Sequence, residues 1–562
     1  MPRLELTMFG GGNWNDPPES LLNRSHQEDG AGGFVQRAPV EASSAQDVTF
    51  FERSMGTRLG SAILKDLGTN GANVLVSGEV LLDGTEFNGA AIVVGQKSIY
   101  TNQSGSWAQL LASDSTTFTW AADGGGASVA GADITKCSFA KMDGHLFIGA
   151  DGANKIQVWK AGADLDAPMA NGNTYEQIYG SNSTITGTWG TAYYIVRDFH
   201  GRLLFSTGNV VVEYTDVNQP WDRTGGGIIW GRDNVVALES FTPRGGNELT
   251  EVLFLFTRAG VDKLTGFSAM DSTEQGVGIG VPLNHRAVVK TEDWLIFLSR
   301  EGKLVGINGL AVIDLGRRFL LGDGATGPLD VLSPSNSNHA LLTFGFYDEK
   351  RRQALWFYPN ESSTVVNRAI GLDFQLGEPY PGEQRESFER HVRTLFWTIY
   401  PTTTPWFVGM WQTTGAVYGL TANGNVWTQG SGRLDLDQYV IQDAWVTPEL
   451  AMSQPTRNKS YRRAAVRADV AGSWNLYMDV AINKDDAWVK TFSIPLLPSG
   501  AAAFGTAVYG TDQYVTDRLT KWADYLDRYA ESLRLRFRSQ ETSRYWVLRS
   551  ITVDYQFGHE SD

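Results

Sequence analysis

"YYIVRDFHGRLLFSTGNVVVEYTDVNQPWD" (residues 193–222) runs apolar stretch, turn, apolar stretch, turn, apolar stretch, and closes on Pro220-Trp221. The pairs His200-Gly201 and Gly208-Asn209 carry the turn chemistry of antiparallel hairpins, because Gly and Asn reach positive φ at little steric cost. Val, Ile, Tyr and Phe crowd the stretches between them, as a pleated, half-buried surface requires. Three consecutive antiparallel strands are expected here.

Related hairpins recur along most of the chain. They are "AAIVVGQKSIYTN" (90–102), "CSFAKMDGHLFIGADGANKIQVWKAG" (137–162), "VLFLFTRAGVDKLTGF" (252–267), "DWLIFLSREGKLVGINGLAVIDLG" (293–316), "HALLTFGFYDEKRRQALWFYP" (339–359) and "AVYGLTANGNVWTQG" (416–430). With turn glycines as markers, Gly144 and Gly201 stand 57 residues apart, Gly201 and Gly260 59, and Gly260 and Gly302 42. Such spacings suit a β-propeller blade of roughly 40–50 residues with some longer loops. A tandem array of sandwiches is the alternative, but hairpins of a single style favour the propeller. An all-β fold is expected, with a β-propeller body of six or seven blades over 61–435.

The flanks differ. Residues 1–60 begin rich in Gly, Asn and Pro ("FGGGNWNDPPESLL", 9–22) and pass into short strand-like pieces, "GGFVQRA" and "DVTFFERS". They read as an N-terminal extended arm that pairs with other elements. Over 440–562, "SYRRAAVRADVAGSWNLYMDVAIN" and "SLRLRFRSQETSRYWVLRSITVDYQFG" alternate polar and apolar residues, the period of half-exposed antiparallel strands. A C-terminal β-sandwich is expected, with a helical turn or a loop within 516–535.

Composition agrees with many short strands. Of 562 residues, 62 are Gly and 19% are charged, alongside 18 Trp, 27 Phe and 20 Tyr. The formal charge of −15 argues against a general nucleic-acid binder, whose affinity comes from cations that neutralise phosphates. Cys137 is the single cysteine, so no intrachain disulfide forms, and its setting in "ITKCSFAKM" reads as a small buried apolar residue. No apolar run approaches the roughly 20 residues that span a bilayer. The opening "MPRLELTMFGGGNW" has no apolar signal-peptide core, so folding in a reducing cytoplasm is expected.

Catalytic constellations do not stand out. The seven histidines, His26, His145, His200, His285, His339, His391 and His559, lack the paired spacing of zinc ligands. His145 and His200 read as occupants of equivalent hairpin turns. "GVGIGV" (276–281) lacks the strand-to-helix setting of a dinucleotide fingerprint, and "DGGGAS" (123–128) reads as a loop. A propeller glycosidase would need paired carboxylates; the candidates are Asp348, Glu349, Glu378, Glu383, Glu386 and Glu389, the last four in a charged loop. The expectation is no enzyme, no metal and no cofactor. Arg462, Arg463 and Arg467, with Arg534, Arg536, Arg538, Arg544 and Arg549, make the C-terminal region locally basic, and Arg534, Arg536 and Arg538 share one strand face. They are a solvated sheet face or a docking surface for an acidic neighbour, including the acidic propeller of another copy.

The opening stretch also resembles the propeller proteins of tailed phages, which carry a Gly-Arg-Leu-aromatic-x-Ser turn, a strand, and a clasp of Ser/Thr-Asp, Pro and Trp/Asp. Gly201, Arg202, Leu203, Phe205, Ser206, Thr215, Asp216, Pro220 and Trp221 occupy those places. "WLIFLSREGKLVGINGLAVIDLGRRF" (294–319) is similar to a blade of the packaged-DNA stabilisation and tail-nozzle proteins of short-tailed phages. "DVTFFERSMGTRLG" (47–60) resembles their leading segment, with Ser54-Met55 where a basic-Pro pair often stands, and "LRSITVDYQFG" (548–558) resembles their last sandwich strand.

The resemblance implies a virion tail nozzle or hub, assembled in the host cytoplasm as a ring, commonly a hexamer, that extends the portal–adaptor channel. Its implied partners are copies of itself, the portal–tail adaptor, and tail fibres or a tail needle. Packaged double-stranded DNA would be retained, then pass through an acidic lumen without specific binding, and no membrane anchor is implied. Gly201, Arg202, Leu203, Asp216, Pro220 and Trp221 would then be blade architecture. A receptor-binding or fibre-attachment tail protein and a propeller glycan hydrolase are the competing readings.

Overall fold

The computed structural model describes residues 3–557 apart from stretches of which the longest are 13–25, 316–340 and 378–391. Within them the chain is nearly all β; the short helix Trp120–Asp123 is capped by the Thr119 side chain. Each hairpin read from the sequence lies in its own antiparallel sheet. Seven such sheets follow one another among the described residues, beginning with Leu81–Phe87, Cys137–Met142, Ile195–Phe199, Val235–Phe241, Val288–Lys290, Phe344–Asp348 and Phe407–Gln412. These first strands pack side by side in chain order, and the last packs back on the first. That closed ring is the propeller body.

Ring packing explains a departure from simple alternation. The second strand of a sheet lies between neighbouring sheets, so both its faces are covered and it becomes a continuous apolar run. Ala90–Gly95, His145–Ala150, Val252–Thr257 and Gln353–Pro359 are buried along their whole lengths. Turns before second strands use positive φ at Asn88-Gly89, at Asp143-Gly144 and, ahead of Arg202–Ser206, at His200-Gly201.

Two readings are corrected by this register. Gly144 and Gly201 turn between the first and second strands of their sheets, whereas Gly260 and Gly302 turn between the second and third. The 59-residue spacing therefore joins unlike positions. His145 and His200 are not equivalent either. His200 is in its turn at φ 48°, while His145 opens the following strand and matches Arg202 instead.

The N-terminal strands are woven through the rest of the molecule. Ser61–Asp66 pairs with Asn425–Gln429 and completes the seventh sheet. Arg3–Leu6 pairs with the last strand, Val547–Phe557, and Ser44–Gln46 pairs with Ala444–Val446. The hairpin of Val48–Phe51 and Ser54–Thr57 joins the same C-terminal sheet through Val547 and Leu548. Leu4, Leu6, Phe9, Val48, Phe50 and Met55 are fully buried, and each such side chain contributes about 1.5–3 kcal/mol. These strands are part of the fold rather than an appendage.

Two sheets face each other at the C-terminal end. One runs through Thr520–Ala530, Lys459–Ala468 and Val547–Phe557; the other through Lys490–Pro495, Asn475–Ile482, Leu533–Arg538 and Ala444–Val446. Their inner residues share one core with the sixth and seventh propeller sheets, including Phe357, Trp397, Trp406 and Trp427. The joint is also polar. Trp397 Nε1 donates to the Val48 carbonyl (3.0 Å), Gln353 Nε2 donates to Thr49 Oγ1 (3.2 Å), and the Arg393 guanidinium lies 4.6 Å from the Phe50 ring.

Thr520–Ala530 is a strand, where a helical turn or loop was expected. Leu526 and Ala530, both buried, stand four apart, a spacing that one helical turn and two strand repeats satisfy equally. Pairing along Lys459–Ala468 decides for the strand.

Candidate functional site

The family-like residues of the third sheet form one knot. Gly201 sits at φ 70°, and an added Cβ would lie 2.4 Å from Asn218 Oδ1. Arg202 Nη1 donates to the Thr215 carbonyl (2.7 Å) and stands 3.5 Å from the Asp216 carboxylate, with its guanidinium over Tyr214 and Phe267. Leu203 is buried, and its N–H donates to Thr215 Oγ1 (3.0 Å). Asp216 accepts from the Val217 N–H (2.7 Å) and opens the turn that carries Pro220 and Trp221. The Trp221 ring lies 5.7 Å from the Tyr175 ring at a tilt of 49°, its carbonyl accepts from the Thr186 N–H, and Thr186 Oγ1 donates to Asp222 (2.7 Å). The clasp thus reaches the strand pair of Thr174–Glu176 and Asn182–Thr184 that follows the second sheet.

The candidate docking arginines fall into two groups on separate sheets. Arg462, Arg463 and Arg467 are exposed on Lys459–Ala468, with Arg462 at a bulge and Arg463 opposite Tyr525. Tyr525 and Tyr529 are 74% and 57% exposed, so this outer face mixes aromatic and cationic groups. Arg534, Arg536 and Arg538 alternate with buried Leu533, Leu535 and Phe537 on the other sheet. The two sheets bury their inner faces against each other, so the groups do not merge into one patch.

The second group is engaged within the chain. Arg536 Nε and Arg538 Nε each donate to Asp479 Oδ2 at 2.7 Å, and Trp488 lies 4.4 Å from the Arg536 guanidinium. Burial pushes the Asp479 carboxyl up, but hydrogen bonds from Arg538, Thr491 and Arg536 outweigh it and hold the group below its ordinary value. Arg549 pairs with Asp469, and Arg544 lies outside the described residues. Of the candidate carboxylates, Asp348 pairs with Arg351 (2.8 Å), Glu349 is exposed, and Glu378, Glu383, Glu386 and Glu389 lie outside the described residues. So do 276–279 of "GVGIGV" and 126–128 of "DGGGAS".

What sequence reading missed lies on the propeller axis. Arg286, just before the first strand of the fifth sheet, reaches Asp83 of the first sheet (Nε–Oδ2 3.0 Å) and donates to the Val408 carbonyl of the seventh. Burial pushes the Asp83 carboxyl up, opposed by Arg286. Arg197 pairs with Glu239 (3.0 Å) and donates to the Phe139 carbonyl (3.0 Å), tying the first strands of the second, third and fourth sheets. Lys141 stands 3.9 Å from Glu86 across the first two sheets. The only sequence signal was a charged residue inside an apolar strand, as in "LLDGTEF" (81–87), and such a residue does not announce its partner.

At the end of the axis where the first strands begin, a cavity of about 150 Å³ opens. Its wall includes Lys136, Tyr194, Val235, His285, Arg286 and Leu341, which lie at or just before the first strands of five successive sheets. His285 is buried, its Nε2 is 2.7 Å from the Cys137 carbonyl, and burial pushes its pKa down to about 3. The imidazole is therefore neutral at neutral pH, with Nε2 carrying the donated proton. Burial likewise pushes the Cys137 thiol well above its ordinary range. Among the described residues no group of three or more metal-ligating side chains stands together, and no helix is long and apolar enough to cross a membrane.

No family model and no curated protein sequence matches the chain. Among solved structures, the chain is similar to one in the crystal structure of the mitotic checkpoint complex, at 9% identity and a TM-score of 0.38, over 65% of this chain and 93% of that one. At that identity and score the likeness says nothing about function.

Proposed function

We propose that this chain is a structural component of a phage tail, a nozzle or hub that assembles as a ring, extends the portal–adaptor channel, and retains and then conducts packaged DNA. The observation that carries this reading is where the family-like stretches fall. The described residues of 201–221 and of 294–315 lie on hairpins of two propeller sheets, those of 48–58 include the hairpin at the joint of propeller and sandwich, and 548–557 lies on the strand that pairs with both Arg3–Leu6 and Lys459–Ala468. All four stretches belong to elements that hold the building block together.

A ring needs a heterologous surface, one patch meeting a different patch on the next copy. The outer face with Arg463, Arg467, Tyr525 and Tyr529 supplies aromatic anchors and cations, and the net charge of −15 supplies acidic neighbours. The mechanism is mechanical and electrostatic, since acidic groups facing the lumen repel phosphates and let DNA slide.

Negative-stain microscopy of the purified chain, alone and seeded with the adaptor, tests the reading. Rings are expected, and the double variant Arg463→Glu with Arg467→Glu should leave single copies of unchanged melting temperature. Virions in which the labelled chain lies away from the tail axis would overturn the nozzle; labels confined to the fibres would favour a fibre-attachment protein instead.

A further inference from the structure

We propose that the cavity at the mouth of the propeller axis is a binding site for a small oxyanion, a phosphate or carboxylate group, held by Lys136, Arg258 and Arg300. Its wall carries four cationic side chains, these three and Arg286, and among the described residues no carboxylate. In a chain of net charge −15 that is a local inversion.

Compensation separates these three cations from the others on the axis. Arg286 has Asp83, Arg197 has Glu239 and Lys141 has Glu86. Lys136, by contrast, faces the Tyr194 ring (4.6 Å), and Arg300 Nε is buried with no acceptor among the described residues. None of Lys136, Arg258 and Arg300 forms an ion pair with a described carboxylate. Asp151, an acid behind the wall, accepts hydrogen bonds from Thr135 N, Thr135 Oγ1 and Lys136 N. Glu301, beside Arg300 in sequence, is exposed and packs toward Gly280.

Buried donors normally find partners, and an arginine without one is matched by a planar or tetrahedral oxyanion. Size selects the ligand class. A cavity of about 150 Å³ offers on the order of ten water-sized positions, enough for one oxyanion group with its remaining waters and too little for a strand or helix. Neutral His285 adds no charge to the floor, so the guanidinium and ammonium groups alone set the preference for an anion.

Isothermal titration with orthophosphate and, separately, citrate, at an ionic strength held constant with chloride, tests the site. Saturable binding of at least one is expected; phosphate alone identifies a phosphate group as the natural ligand, and citrate alone a carboxylate. Arg300→Gln and Lys136→Gln should each weaken binding about tenfold or more with an unchanged melting temperature in chloride. Arg258→Gln, on an exposed turn, provides the variant least prone to misfolding. Arg351→Gln, whose guanidinium is held by Asp348 away from the cavity, should bind as the parent does. Absence of saturable binding with both anions, or equal affinity in all three cavity variants, would overturn the proposal.

Discussion

Arg58 and Asp435, 377 residues apart, form a forked ion pair with both side chains buried, Nη1 to Oδ1 at 2.7 Å and Nη2 to Oδ2. Arg58 Nη2 also donates to the Thr398 carbonyl, and its guanidinium lies against Trp397 and Trp406. This pair fastens the chain just before Ser61–Asp66 closes the seventh sheet.

Removing one partner leaves the other charged and dry. Arg58→Met or Asp435→Asn alone should destabilise by about 3–5 kcal/mol, and the double change Arg58→Met with Asp435→Leu should recover much of that loss. Urea unfolding followed by tryptophan fluorescence measures it. Equal midpoints for the single variants and the parent would show that the pair does not hold the closure.

The turn glycines provide a graded test. Gly89 sits at φ 83° with no atom within 4 Å of an added Cβ, so Gly89→Ala should cost only the conformational term, about 1 kcal/mol. Gly201→Ala meets Asn218 Oδ1 as well and should cost more, with Asn218→Ala relieving the excess. Melting temperatures of the three variants check the order.

His285 makes stability pH-dependent. Its folded pKa, about 3, lies below the ordinary histidine value near 6.5, so the unfolded chain binds the extra proton first. Its contribution is therefore fully present above about pH 6.5 and is lost as pH falls toward 3, at up to roughly 1.4 kcal/mol per pH unit. His285→Gln should flatten that slope between about pH 6 and about pH 4. Denaturant midpoints against pH provide the readout.

Asp479 acts lower on the scale. Because Arg538, Thr491 and Arg536 hold its carboxyl below the ordinary value, its contribution is present above about pH 4 and is lost as pH falls through the depressed folded value. Asp479→Asn should weaken the C-terminal sheets at neutral pH and remove this part of the acid dependence. Hydrogen exchange in Leu533–Arg538, faster in the variant at pH 7 than in the parent and converging with it in acid, is the expected result.

Legibility followed locality. Hairpins such as 193–214 were readable because a turn pair and two apolar runs specify one another within a few residues. The contact between Arg202 and Asp216 was not legible, since neither residue type names its partner. The basic C-terminal region dissolved on folding because Arg463 and Arg536 alternate outward on two different sheets. Arg286, Asp83 and the axial cavity were not legible at all, because residues more than two hundred positions apart meet there.

By itself, the sequence determined an all-β chain of antiparallel hairpins with a change of pattern beyond 440, since turn chemistry and apolar periodicity act over neighbouring residues. Only the tertiary structure decided that Ser61–Asp66 completes the last propeller sheet, that Arg3–Leu6 pairs into the C-terminal one, and that Lys136, Arg258, Arg286 and Arg300 gather around one cavity at the axis. Those outcomes depend on which distant strands pair and on where ring closure brings charges together. Backbone ladders and ion pairs use the same groups whichever partner they take, so the global packing of apolar faces makes the choice.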